Sequence, residues 1–303
     1  MSEDSGAWNR THLEINIGIF HNIKMTILID PKELYSKLNT ENTVIFDCRY
    51  DLSNKSSGKS AYLSEHIPNS FYCDLENDMS DMMKINAGRH PLPTPQKFEK
   101  YLQEHGVNRD TEVIVYDEIS TAYAARMFWL CRWVGLEKVR YLDGGIKSWK
   151  SHDLPLNTAV LASKKGDFIS SLRNEMLLEM DEILTDLNGS EWQLIDARDS
   201  NRFQGKNEPL DLKPGHIPGA LNHFFQANLD ESGCFLPADK LLENFKKLTD
   251  TPSQNIVHSC GSGVTACHNY MAMEISGLKN SKLYAGSWSQ WCSFPNNPVA
   301  VGE

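Results

Sequence analysis

The chain has 303 residues, of which 40% are apolar and 23% are charged, and its formal net charge at pH 7 is −10. This length accommodates two domains of ordinary size, and the composition is typical of a soluble globular protein. The negative charge argues against nucleic acid or an anionic membrane as partner, because both need a basic face. No run approaches the ~18 apolar residues of a membrane-spanning helix.

Residues 1–25 precede the first domain pattern and are interpreted as an N-terminal extension. The segment has early acidic residues and no cleavable apolar core, so we do not expect a secretory signal. The seven cysteines form no CxxC pair and no Cys/His metal spacing. Their odd number and scattered positions favour a reducing compartment over a disulfide framework, so we expect a cytoplasmic protein.

The first half of the chain alternates strand-like and helix-like segments. The runs "VIFDCR" (44–49) and "EVIVYDE" (112–118) have the pattern of strands, and "PQKFEKYLQEH" (95–105) has that of an amphipathic helix. This alternation predicts α/β units around a mostly parallel sheet. We assign residues 26–155 to a first domain and the weakly patterned stretch 156–175 to a linker.

The remaining residues, 176–303, repeat the order of the first half. Four pairs of segments match at separations of 142 to 150 residues: "VIFDCR" with "QLIDAR", "EHIPNS" with "GHIPGA", "EVIVYDE" with "NIVHSCG", and "YLDGGIKSW" with "LYAGSWSQW". The constant order and spacing indicate a tandem duplication. Where the first half has Asp117, the second has Cys260, so we predict a non-catalytic first domain and a catalytic second domain.

The loop "CGSGVTACH" begins at Cys260, after a strand-like run, and leads into a helix-like segment. Gly261, Gly263 and Ala266 satisfy a GxGxxA nucleotide pattern. That fingerprint needs an acidic residue about 20 positions further on, where this chain has "NSKLYAG". A cysteine beside a helix N-terminus is instead predicted to be a nucleophile, because the helix dipole favours its thiolate. The glycines allow backbone N–H groups to converge on the sulfur.

The segment "CGSGVTA" and the duplicated architecture resemble the two-domain rhodanese superfamily, and specifically its 3-mercaptopyruvate sulfurtransferase branch. The likeness begins near residue 26 and includes both "HIP" segments, "GRHPLP" (88–93), "LDGG" (142–145), "RFQG" (202–205) and "GSWSQW" (286–291). The six-residue loop from Cys260 to Thr265 is similar to that of the sulfurtransferases, whereas related phosphatases and arsenate reductases have a longer one. The resemblance implies two tandem rhodanese-like α/β domains, each a mostly parallel sheet flanked by helices.

The resemblance also implies a ping-pong sulfur transfer through Cys260. The thiolate would take sulfur from a small anionic donor, become a persulfide and pass the sulfur to a thiol, thioredoxin or cyanide. No metal and no organic cofactor is implied. In the mercaptopyruvate branch, a serine, a histidine and an acid relay a proton to the departing enolate. By motif match these residues are Ser262, His90 and Glu76.

The residues after the cysteine bear on the choice of donor. Family members that prefer thiosulfate resemble one another in having basic side chains there, whereas this chain has uncharged Gly261 and Ser262. This difference favours the monoanion 3-mercaptopyruvate. Arg202 matches the family's carboxylate-binding arginine, but Leu210 stands where animal-type enzymes carry a second one. The remaining predicted substrate-binding residues are those of the loop: Gly261, Gly263, Val264 and Thr265.

Several other motif residues are predicted to be structural. Arg198 is expected to pair with nearby acids, and His66 and His216 recur in both halves, including the half without a thiol. Trp288 and Trp291 are expected to pack in the core. The other six cysteines are expected to be inert thiols.

Alternatives to a mercaptopyruvate enzyme stay open at this point. The first is a thiosulfate:cyanide sulfurtransferase with the same fold and nucleophile. The others are a persulfide carrier, a non-catalytic binding module, and a phosphatase or arsenate reductase. The short loop disfavours the last of these, and the intact cysteine disfavours the binding module.

Overall fold

The computed structural model describes residues 26–119, 122–162, 165–187 and 191–302. The predicted extension at 1–25 lies outside these residues. Within the described ranges, none of the helices combines the length and the apolar character that crossing a membrane requires.

The first domain is a five-stranded parallel sheet in the order β1-β5-β4-β2-β3. Its strands are β1 (Leu28–Ile29), β2 (Thr43–Asp47), β3 (Ser70–Tyr72), β4 (Glu112–Tyr116) and β5 (Val139–Leu142). Its helices are α1 (Pro31–Lys37), α2 (Ser57–Ser64), α3 (Pro95–Glu104), α4 (Ala122–Trp133) and α5 (Gly145–Ser151). Proline in the first turn and a side-chain cap begin α1 and α3, through Asp30 and Thr94.

The second domain is a four-stranded parallel sheet in the order β7-β6-β8-β9. Its strands are β6 (Gln193–Asp196), β7 (Leu221–Asn222), β8 (Ile256–Ser259) and β9 (Lys282–Leu283). Its helices are α6 (Met180–Thr185), α7 (Ser200–Phe203), α8 (Ala238–Leu248), α9 (Thr265–Ser276) and α10 (Ser287–Trp291). The predicted α/β class and the mostly parallel sheets are therefore confirmed.

The duplication inferred from sequence is visible in matched contacts. His66 Nδ1 lies 2.7 Å from the carbonyl oxygen of Tyr62 and its ring stacks on that tyrosine. His216 Nδ1 lies 2.8 Å from the carbonyl oxygen of Phe203 and stacks on that ring in the same way. Both histidines are buried, so they have the structural role that the sequence predicts.

The stretch predicted as a linker runs along the first domain. Asn157 bridges to His66, and the backbone N–H of Phe168 donates to the carbonyl of Val107 at 3.1 Å. Phe168 is buried in the same apolar cluster as residues of both domains. This packing limits the freedom of the domains to move apart.

Helices α4 and α9 join the two domains. Each is buried over nearly all its residues, and the two pack against each other, as expected for helices that are apolar on every side. Each fully buried aromatic residue in this contact, such as Trp129, stabilises the fold by about 1.5–3 kcal/mol. Because α4 and α9 follow the central strands β4 and β8, their packing brings the loops that precede them to the same cleft.

Candidate active site

Cys260, the predicted nucleophile, directly follows β8 and precedes α9 by a short loop. The residue is 1% exposed, and the N–H of Gly263 donates to its Sγ at 3.1 Å. Among the hydrogen bonds of the described residues, this is the one that a loop N–H makes to the sulfur, whereas the sequence predicts several. The N–H of Cys260 donates to Ser287 Oγ at 3.0 Å, so the start of α10 holds the loop in place.

A cavity of about 190 Å³ opens beside Cys260 and is lined by both domains. Apolar walls come from Leu52, Leu75, Tyr123 and Phe225. The predicted site residues that line it are His90, Arg202, Cys260, Gly261, Ser262, Val264 and Thr265, while Gly263 and Glu76 lie outside its lining. A volume well below the roughly 300 Å³ of drug-sized pockets suits a molecule of a few heavy atoms.

A larger cavity of about 620 Å³ lies elsewhere between the domains, beside Phe128 and Tyr270. None of its described lining residues is a cysteine. In the described part of the chain, no three His, Cys, Asp or Glu side chains are grouped to hold a metal ion. The smaller cavity therefore carries the candidate chemistry.

The two loop glycines meet different constraints. Gly263 has a φ of +74°, and a Cβ there would lie 2.3 Å from the carbonyl oxygen of Ala285, so no other residue fits. A Cβ on Gly261 would lie 2.9 Å from Arg89 Nη2 and 3.3 Å from Arg202 Nη2. Glycine at 261 therefore allows two guanidinium groups to approach the loop closely.

The structure brings together the three residues proposed as a relay. Ser262 Oγ and His90 Nδ1 lie 2.8 Å apart, across the boundary between the domains. Glu76 Oε1 lies 3.9 Å from His90 Nε2, beyond hydrogen-bond distance, and 2.6 Å from Lys55 Nζ. The serine and the histidine are thus in direct contact, and the acid is further out.

His90 is a neutral imidazole at physiological pH. Burial is the main cause, and it lowers the pKa of His90 to about 3. Nearby positive charges act in the same direction, and they belong to Arg126, Arg89 and Lys55. His90 is thus suited to orient the Ser262 hydroxyl rather than to supply a proton from an imidazolium.

Arg126 is a site residue that the sequence reasoning missed. It lies on α4 of the first domain and is fully buried. Its Nη1 donates to the carbonyl of Gly263 at 3.0 Å and its Nη2 to the carbonyl of His90 at 3.1 Å, and no carboxylate among the described residues pairs with it. An arginine within an apolar helix was a signal that could have revealed it.

A network of guanidinium and carboxylate groups forms one wall of the cavity. Arg202 pairs with Glu208, with Nη2 to Oε1 at 2.9 Å, and its Nη2 also lies 3.1 Å from Asp211 Oδ2. Arg89 Nη1 pairs with the other oxygen of Asp211. Arg198 pairs with Asp196 Oδ2 at 2.7 Å, as the sequence predicts. Arg89 was overlooked, although it lies in the "GRHPLP" motif beside His90.

The other predicted structural residues are accounted for. Trp288 and Trp291 are buried in the second domain, away from the cavity lining. Burial raises the pKa of five cysteine thiols, which agrees with the inert role predicted for them: Cys48, Cys73, Cys131, Cys234 and Cys267. Cys292 is a buried free thiol.

Comparison with known proteins identifies the family. Residues 30–152 and 179–294 each match the rhodanese-like domain. The chain therefore belongs to the rhodanese-like family and carries two copies of its domain, which confirms the predicted resemblance.

The similar proteins are sulfur-transferring enzymes by name. The chain is 39% identical to a probable 3-mercaptopyruvate sulfurtransferase of Pseudomonas aeruginosa over 279 residues, which is 91% of this chain and 98% of the relative. It is 32% identical to a putative thiosulfate sulfurtransferase of Mycobacterium tuberculosis, over 91% of this chain and 97% of the relative. The crystal structure of a 3-mercaptopyruvate sulfotransferase from Escherichia coli is similar with a TM-score of 0.77 and 32% identity, covering 88% of this chain and 100% of the other.

Proposed function

We propose that this protein is a sulfurtransferase that moves sulfur from 3-mercaptopyruvate through a persulfide on Cys260 to a thiol or cyanide acceptor, releasing pyruvate. The observation that carries the proposal is a small cavity in which the Cys260 thiol of one domain faces His90 of the other. The Ser262–His90 contact at 2.8 Å supplies a hydroxyl beside the sulfur. The names of similar proteins that span nearly the whole chain support this activity.

In the first half-reaction, the Cys260 thiolate attacks the sulfur of the donor. An S–S bond forms and the C–S bond of the donor breaks, with its electron pair going to the enolate of pyruvate. The proton of the donor thiol, carried on the new hydropersulfide, then moves to the enolate carbon. The products are pyruvate and the persulfide anion.

Ser262 and His90 serve the enolate in this step. The serine hydroxyl donates a hydrogen bond to the donor carbonyl oxygen as negative charge develops there, which stabilises the transition state more than the ground state. His90, 2.8 Å from that hydroxyl, holds it in position. Glu76 supports His90 only at longer range, since their nearest atoms are 3.9 Å apart.

In the second half-reaction, cyanide or a thiol removes the outer sulfur. With cyanide, the hydropersulfide yields thiocyanate, a proton and the Cys260 thiolate, so the enzyme returns to its starting state. We propose a thiol, including thioredoxin, as the natural acceptor and the cytoplasm as the location. All seven cysteines are free thiols, which supports a reducing compartment.

The charge around Cys260 supports a monoanionic donor. Gly261 and Ser262 add no charge, and Asp211 compensates part of the charge of Arg89 and Arg202. A dianion such as thiosulfate would find less uncompensated positive charge here than in a loop with basic side chains. The thiosulfate activity named for one relative nevertheless makes thiosulfate the second candidate donor.

The test is thiocyanate formation with cyanide as acceptor, comparing 3-mercaptopyruvate with thiosulfate. We expect 3-mercaptopyruvate to be preferred by at least about tenfold in kcat/KM, which corresponds to about 1.4 kcal/mol. Cys260→Ser should be inactive, and Cys234→Ser, which changes a half-buried thiol at another site, should retain activity. A preference for thiosulfate would overturn the donor assignment, and activity in Cys260→Ser would overturn the nucleophile.

A further inference from the structure

Arg89 belongs to the first domain, yet its guanidinium lies against the loop of the second. Its Nη2 is 2.9 Å from the point where a Cβ of Gly261 would be, and Arg202 Nη1 is 3.5 Å from the same point. The backbone N–H of Arg89 donates to Ser289 Oγ at 3.0 Å, which fixes the segment to the second domain. Two guanidinium groups thus face the residue that follows Cys260.

One buried carboxylate holds these two groups side by side. Asp211 is 2% exposed at its side chain and pairs with Arg89 Nη1 through one oxygen and with Arg202 Nη2 through the other. Among the described residues, Arg89 Nη2 and Arg202 Nη1 have no hydrogen-bond partner, and both side chains line the cavity. Two free N–H donors on adjacent guanidinium groups match the two oxygens of a ligand carboxylate.

The loop that was expected to provide a second arginine does not do so. Leu210 is 50% exposed and lines the cavity with an apolar side chain. The next residue, Asp211, is an acid that pairs with Arg89 instead. The second positive charge near Gly261 therefore comes from the other domain.

We propose that Arg89 binds the carboxylate of the sulfur donor together with Arg202, so that each domain contributes one guanidinium to the carboxylate site. This inference rests on the proposed function, because it assigns a site for the carboxylate of the same donor. It makes the first domain a contributor to specificity, even though it has Asp117 in place of a cysteine. Asp211 aligns the two groups and limits their excess charge.

The experiment compares Arg89→Gln with Arg109→Gln, an exposed arginine at another site. The donors are 3-mercaptopyruvate and 1-mercaptopropan-2-one, in which a methyl group replaces the carboxylate. Loss of a charge-assisted hydrogen bond corresponds to a change of about 10- to 100-fold. We expect Arg89→Gln to raise KM for 3-mercaptopyruvate by about that factor and to change kcat/KM for the neutral donor by less than about twofold. Arg109→Gln should change neither, and Arg89→Lys should restore part of the loss.

Pyruvate binding, measured by calorimetry on the resting protein, gives a readout that needs no turnover. Arg89→Gln should weaken it by about the same 10- to 100-fold. An equal loss with both donors, or unchanged pyruvate binding, would overturn the role of Arg89. If the unaltered protein binds pyruvate through Arg89 but does not turn over 3-mercaptopyruvate, the proposed function fails while the carboxylate site stands.

Discussion

The two domains share one backbone arrangement at the end of the central strand. In the first domain, the carbonyl of Asp117 accepts a hydrogen bond from the N–H of Ile146 at 2.9 Å. In the second, the carbonyl of Cys260 accepts one from the N–H of Trp288, also at 2.9 Å. The scaffold that presents residue 260 to the cleft is therefore also present in the half that lacks the thiol.

The side chains at these two positions have different surroundings. Asp117 is fully buried and accepts hydrogen bonds from the N–H of Ala124 at 3.0 Å and the hydroxyl of Tyr141 at 2.9 Å. These contacts make it a structural acceptor at the start of α4. Cys260 lines an open cavity. The comparison teaches that the strand, loop and helix alone do not make a reactive site; the cavity and the side chain do.

The first domain retains a part in the site in another way. It supplies His90 to the Ser262 hydroxyl, Arg126 to the loop carbonyl of Gly263, and Arg89 to the space above Gly261. The duplication has thus produced a division of tasks, with the proposed nucleophile in one copy and much of its electrostatic environment in the other.

The largest expected effect comes from moving the thiol to the other domain. The double variant Asp117→Cys, Cys260→Ser should form no persulfide, because position 117 is enclosed by its own domain. Intact mass measured after incubation with 3-mercaptopyruvate should show no added sulfur, whereas the unaltered protein should gain one sulfur atom. Cys260→Ser alone is the control. A persulfide on the relocated cysteine would show that the backbone arrangement is sufficient.

The next effect concerns the loop glycines. Gly263→Ala should lower the free energy of unfolding by about 1–3 kcal/mol and reduce turnover more than tenfold, since the new Cβ would lie 2.3 Å from a carbonyl oxygen. Gly219→Ala is a matched control, because Gly219 also has a positive φ, +79°, but has nothing within 4 Å of the added Cβ. Denaturant unfolding and the thiocyanate assay measure the two quantities. Equal effects of the two variants would contradict the steric explanation.

The smallest effect is a pH dependence of stability. The pKa of His90 is lowered to about 3 in the folded protein from an ordinary value of 6.5, mainly by burial. Between these values the unfolded state binds a proton that the folded state does not, so stability is complete above pH 6.5 and declines as the pH falls. Each such histidine contributes a slope of up to about 1.4 kcal/mol per pH unit.

His258 separates this effect from catalysis. It is buried in β8, and burial lowers its pKa to about 3 as well, but it does not line the cavity. His90→Gln and His258→Gln should each flatten the decline in unfolding free energy between pH 6.5 and 4, measured with urea. His90→Gln alone should also reduce turnover. A decline unchanged by both substitutions would show that other groups cause it.

The sequence predicted the two α/β domains and the family, and these predictions are confirmed. Strand alternation, helix periodicity and turn residues are local signals, and the repeat at a nearly constant separation extends them to the order of elements in both halves. Cys260 was predicted by the same means, because its position between a strand-like run and a helix-like run is visible along the chain. Motif resemblance indicated His90 and Ser262, which the structure places 2.8 Å apart.

The sequence reasoning did not identify Arg89 or Arg126, and it expected a second arginine at the position of Leu210. No local pattern shows that an arginine on one domain will lie against the loop of another. Arg89 is 172 residues from Gly261 along the chain, and only the packing of α4 against α9 brings them together.

The amino-acid sequence by itself thus determined the elements, their duplication and the position of the proposed nucleophile, since these depend on interactions between residues that are near in the chain. The tertiary structure alone decided which charges surround that thiol, since guanidinium and carboxylate groups act through space and are positioned by contacts between the domains.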